Sequence, residues 1–210
     1  CAESHPLLAR ACELRAWGLG AEERNALGCR GVLAWQYMCE ARFVEGMDLA
    51  REALDVGRRV LGEEHPVTLK AASSLAAAYD GKLQYEEAES LAHRAYEISR
   101  RVLGAEHETT LNLMNELSWA QQGLGHLDEA AELAGETLAI ATRAVGDEHA
   151  ITIWAMNTLG GIRLEQQRLE EAAPLLTRSV ELAARILGED HAGTLLFTLK
   201  LGHLRRAQGR

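Results

Sequence analysis

The sequence predicts an all-α protein, an α-solenoid of stacked antiparallel helix pairs with about ten helices, and three observations predict it. His65, His107, His149 and His191 recur at a 42-residue spacing, and the residues around them recur in step, which marks a repeat architecture rather than one central core. Apolar residues inside each repeat follow three-and-four spacing, the period of an amphipathic helix. Only three prolines interrupt the 210 residues, and β-branched runs are few, so propensity and punctuation give a sheet no support.

Carried along the chain, the period places each element. A helix at 3–19 is the second member (B) of a preceding repeat. Full pairs follow at 22–61, 65–103, 107–145 and 149–187, and a last first-member helix (A) at 191–208. The repeat beginning at His65 shows why. Val67, Leu69, Ala72, Leu75, Ala76 and Tyr79 form one apolar stripe, and after a break near Gly81 the residues Ala88, Leu91, Ala92, Ala95, Ile98 and Val102 form another. Gly20, Gly62, Gly104, Gly146 and Gly188 share one column after helix B, where a left-handed cap is expected. Pro66 suits a first helical turn. The repeat leaves no linker-like break, so residues 1–210 read as a single solenoid domain, and its half-repeat ends suggest part of a longer protein.

Composition narrows the function. Hydrophobic residues make up 47% and charged residues 25%, ordinary for a folded soluble chain. The formal net charge is −9 and no Lys/Arg block could neutralise a phosphate backbone, so neither nucleic acid nor an anionic membrane is expected as a partner. No stretch approaches the roughly 20 apolar residues that span a bilayer, no signal pattern opens the chain, and a cytoplasmic location is expected. Cys1, Cys12, Cys29 and Cys39 lack metal-ligand spacing and read as reduced structural thiols, an oxidised pair remaining open. The histidine ladder cannot share a metal, because neighbouring repeats lie on the order of 10 Å apart. Its expected role is to hydrogen-bond the turn that starts each helix A. Glu63-Glu64-His65 and its copies recur in every repeat, whereas a catalytic set occurs once. With no phosphate loop, nucleophile elbow or zinc-protease motif, the chain reads as no enzyme, with no cofactor and no metal site.

Leu75, Ala76 and Tyr79, a short turn, then Glu87-Ala88 and its copies Glu129-Ala130 and Glu171-Ala172 resemble the tetratricopeptide repeat (TPR). The eight additional residues per repeat, carrying LGEEHPVTL and its counterparts, resemble the kinesin light-chain type. The resemblance covers nearly the whole chain. It departs at Leu83 and Gln167, where Gly125 and Gly209 occupy the turn in other repeats, and at Ala41; looser turns are expected there. It implies a right-handed superhelix whose concave face, lined by A helices, binds extended peptides or a partner's helix. In that frame Ala76, Ser118 and Gly160 are small packing positions, answered by Ala88, Ala130 and Ala172 in helix B. Lys70, Asn112, Asn115, Asn157, Trp35, Trp119, Trp154 and Gln122 fall on the expected concave surface. Asn115 and Asn157 match a position that contacts peptide in this repeat type. Amides can pair with both N–H and C=O of an extended backbone, and indoles supply contact area at low entropic cost. Equally, a tryptophan can fill space between A helices, and an asparagine can bridge repeats. The arginine column Arg59, Arg101, Arg143 and Arg185 is expected to pair with the acids of neighbouring turns, each pair contributing little.

The expected function is a non-enzymatic protein–protein interaction module that holds a protein or peptide ligand. One alternative is the regulatory or sensor arm of a larger kinase, protease or NTPase. Another is self-association through uncapped ends.

Overall fold

The structure is a computed structural model, and it describes Tyr37 and residues 43–209. Among the described residues there are eight helices and no strand: α1 (Phe43–Val60), α2 (Pro66–Gly81), α3 (Tyr85–Leu103), α4 (Glu108–Gly123), α5 (Leu127–Val145), α6 (Ala150–Glu165), α7 (Leu169–Leu187) and α8 (Ala192–Ala207). The even-numbered helices are the A members and the odd-numbered ones the B members. The expected helix at 3–19, the four cysteines, Trp17 and Trp35 lie outside the described residues, as do Ala41 and most of the A helix of the first pair.

The chain divides into two compact units, Cys1–Glu116 and Leu117–Arg210, the boundary falling inside α4. In the first unit Ala50, Leu54, Leu69, Ala72, Leu75 and Leu113 pack into one buried cluster. In the second, Ala130, Ala134 and Ile162 form one cluster, Ile153, Leu182 and Phe197 another, and Ala172, Leu176, Leu201 and Leu204 a third. The small positions of the repeat do the expected packing, since Ala76, Ala88, Ala130 and Ala172 have no exposed surface. At Gly160 the approach is closest. A Cβ there would stand 2.8 Å from Leu176 Cγ, so any larger residue pushes α6 from α7.

Each B-to-A connection carries three recurring residues, a glycine, a histidine and a threonine. The histidine is the helix N-cap: its Nδ1 accepts from the backbone N–H two residues on, at 3.2 Å for His65, 3.1 Å for His107, 3.3 Å for His149 and 3.1 Å for His191. This satisfies one of the N–H groups that a helix start leaves without a partner. The threonine five residues before the middle of helix A is buried, and Thr152 and Thr194 donate their hydroxyls to the carbonyls of Gly146 and Gly188 at 2.7 and 2.8 Å. The glycines differ from expectation. Gly104, Gly146 and Gly188 have φ of 92°, 87° and 96° with ψ of 164°, 168° and 154°. This is extended backbone at positive φ, a region essentially restricted to glycine, and no left-handed cap. The chain must leave helix B and reverse at once into the His N-cap, and an αL residue would not extend far enough.

The A-to-B turns also correct an expectation. Leu83 and Gln167 adopt φ of 60° and 61°, so these turns are as tight as those with glycine. Leu83 N–H donates to Asp80 O at 2.9 Å and Gln84 N–H to Tyr79 O at 3.0 Å. The Gly125 turn makes the equivalent bonds to Gln122 O and Gln121 O. Helix-closing hydrogen bonds impose the left-handed conformation, and the side chain bears its cost.

Candidate interaction surface

The A helices carry the residues expected to meet a ligand, and the two units present different chemistry. In the first unit, Lys70 on α2 is exposed, Asn112 on α4 is half-buried, and Asn115 retains only 6% exposure.

In the second unit α4, α6 and α8 bring aromatic rings together. Trp119 and Trp154 are both partly exposed and meet edge to face, their centroids 5.4 Å apart and their planes at 76°. Trp154 meets the buried Phe197 at 4.6 Å and 83°. Such edge contacts are worth roughly 1 kcal/mol each beyond their buried area. Gln122 Nε2 donates to Glu165 Oε1 at 2.6 Å, tying α4 to α6.

Asn157 departs from the expected pattern. It has no exposed surface, and its Nδ2 donates to Ser179 Oγ at 3.3 Å, which links α6 to α7. The ligand-facing amide expected at this position is an interior packing group.

Lys200 on α8 was not singled out by sequence reasoning. Its Nζ stands 5.6 Å from the Trp119 ring centroid and 3.1 Å from where a Cβ of Gly161 would lie. The missing side chain of Gly161 therefore lets the ammonium reach across α6. Burial lowers the Lys200 ammonium to about 8, against the opposing pull of Glu165. A cation–π contact supplies about 0.5–1 kcal/mol, less than a desolvated ammonium normally requires. A signal existed in the sequence, for Lys200 shares its column with Ser74, Glu116 and Thr158, and it is the one cation in that column. Trp119 Nε1 is also sealed from solvent without a hydrogen-bond partner.

Elsewhere the repeat's charges are architectural. Arg101 pairs with Glu64 at 2.7 Å and Arg185 with Glu148 at 2.6 Å, the same step in two repeats. Among the described residues no group of His, Cys, Asp and Glu could hold a metal ion, and no helix is long and apolar enough to cross a membrane.

Helix pairs joined by this turn chemistry, repeating through both units, define a protein-interaction scaffold. The chain belongs to the tetratricopeptide repeat family: one profile of that family matches residues 81–143, 132–183 and 151–210, and a second matches 27–67. More particularly, its repeats are of the kinesin light-chain type. The chain is similar to the crystal structure of a Podosopora anserina kinesin light chain with nearly identical TPR-like repeats, at 27% identity and a TM-score of 0.62, covering 88% of this chain and 87% of that one. It shares its fold with BtubC (BKLC) from P. vanneervenii, at 21% identity and a TM-score of 0.70 over 99% of this chain and 84% of that one. It also shares its fold with a Rap protein complexed with Competence and Sporulation Factor, at 16% identity and a TM-score of 0.73 over 97% of this chain and 56% of that one. No curated protein matches the chain significantly.

Proposed function

We propose that the chain is a non-enzymatic, cytoplasmic adaptor that holds an extended segment of another protein in a groove lined by its A helices. The observation that carries this reading is the surface around Lys200. Partly exposed Trp119 and Trp154 meet edge to face, and the Lys200 ammonium stands 5.6 Å from the Trp119 ring centroid. Gln122 adds a polar group to that surface in the second unit, and in the first unit the exposed Lys70 and half-buried Asn112 are polar groups able to meet a peptide backbone. Asn115 and Asn157, with 6% and 0% exposure, are left out of the contact set.

A pull-down from lysate of the source cells tests the reading. The wild-type chain is compared with Lys70→Ala/Trp119→Ala/Gln122→Ala, and with Arg178→Ala/Glu181→Ala on helix B as control, after helicity is confirmed for all three. A protein retained by the wild type and the control and lost by the A-helix variant supports the groove. Equal retention by all three places the binding surface elsewhere.

Self-association is a second reading, favoured by Leu195, Leu196 and Leu199 of α8, which are 58%, 39% and 56% exposed. A sedimentation coefficient that rises with concentration, and ceases to rise in Leu195→Glu/Leu199→Glu, is its expected signature.

A further inference from the structure

The first unit buries two carboxyl groups that have no cationic partner among the described residues. Asp80 lies in the last turn of α2 and Glu116 in α4, with 8% and 6% of their surface exposed. Both carboxyl oxygens of Asp80 and Oε2 of Glu116 are sealed from solvent and accept no hydrogen bond. Their charges interact: burial, and then the charge of Asp80, hold the Glu116 carboxyl well above the usual range. Burial alone pushes Asp80 up to about 8. The helix adds to the same field, since α2 has no basic residue in its last turn and its C-terminal carbonyls form the negative end of the helix dipole.

Packing does not ask for acids here, and the other repeats serve as internal controls. Gln122, Leu164 and Arg206 stand where Asp80 does, and Ser74, Thr158 and Lys200 where Glu116 does. A buried carboxyl with open acceptor oxygens is more costly than any neutral residue in those columns. Three unfilled acceptors on two carboxyls whose charges interact describe a complement: a planar cation with several N–H donors. A guanidinium has five in a rigid fork and is more weakly hydrated than an ammonium, so it enters such a site at lower cost. Gly81, Lys82 and Leu83, which follow Asp80, are exposed.

We infer that Asp80 and Glu116 form a receptor for a guanidinium group, an arginine side chain of the segment held along the A helices. The inference rests on the groove reading for the source of that arginine. As the cation enters, each carboxyl releases its proton to solvent, and the resulting carboxylates accept the guanidinium N–H groups.

The probe is N-acetyl-arginine N-methylamide, titrated at pH 6.5 into the full chain carrying 13C-labelled carboxyl groups, alongside its citrulline and lysine counterparts. The arginine compound should move the Asp80 and Glu116 carboxyl resonances saturably toward their ionised positions. Citrulline, the neutral isostere, should leave them in place, and lysine should act more weakly. Asp80→Asn and Glu116→Gln, which keep shape and volume, should each weaken binding by about tenfold or more. Resonances that do not move, or that respond equally to all three compounds, overturn the proposal without reference to any variant's folding. The outcomes also separate from the groove test. Partner capture that depends on Trp119 but is untouched by Asp80→Asn/Glu116→Gln leaves the groove standing and removes the arginine.

Discussion

The Nδ1 of each ladder histidine can cap a helix only while it lacks a proton, because it accepts the backbone N–H. At His191 burial lowers the imidazole below its ordinary 6.5. A base with a depressed folded value stabilises the fold above its unfolded value and loses that contribution as pH falls through the folded one. His191→Ala should therefore cost about 1 kcal/mol at pH 8 and progressively less below pH 6, as thermal melts across that range will show. Threonine in the neighbouring column gives the opposite case. The hydroxyls of Thr152 and Thr194 have carbonyl partners, whereas Thr68 Oγ1 is buried with none. Thr68→Val should raise stability by about 1 kcal/mol, and a urea midpoint that falls instead would show that the hydroxyl has a partner. The histidines' capping role was legible from spacing alone. The fate of Thr68 was not, because satisfaction of a hydroxyl depends on the backbone of another helix.

Helix boundaries were legible because each is punctuated by chemistry, with glycine behind, histidine in front and apolar periodicity between. The turns were less so. Leu83 and Gln167 look like departures in sequence, yet both adopt the same positive φ as Gly125, since hydrogen bonding across the turn decides the backbone. Leu83 is also 69% exposed, so it bears the conformational cost without burial in return. Leu83→Gly should raise stability by up to about 1 kcal/mol, read from the shift in denaturation midpoint at unchanged slope. The A-helix face shows the other limit of sequence reading. Periodicity put Asn115 and Asn157 in one column, and both are buried, with 6% and 0% exposure, because burial is decided by the neighbouring helices. Lys200 reaches Trp119 only because Gly161 has no side chain, a long-range relation between helices that no single-helix pattern contains.

For the molecule as a whole, the net charge of −9 is less telling than where two of the acids sit. A carboxyl whose folded value is raised, as Asp80 is from 3.8 to about 8, binds its proton more tightly in the native state. The fold then loses stability as pH climbs from about 4 toward 8. This slope opposes that of His191, so stability should peak in mildly acidic solution. Asp80→Asn should flatten the alkaline limb, part of which Glu116 retains, with a gain of about 2 kcal/mol at pH 8 and almost none at pH 4. Melting temperatures of both proteins across that span test it. The backbone at Gly62, Gly104, Gly146 and Gly188 has a different kind of consequence. No atom lies within 4 Å of where an added Cβ would stand at any of them, so each has room for a methyl group, and it is handedness that excludes one. Their dihedrals lie near the mirror image of ordinary extended chain, which a residue of opposite chirality occupies without strain. A chemically assembled chain with D-alanine at these joints should fold as well as the natural one or better, while the L-enantiomer of equal volume should not. The connections between repeats thus discriminate by stereochemistry at sites where size is irrelevant.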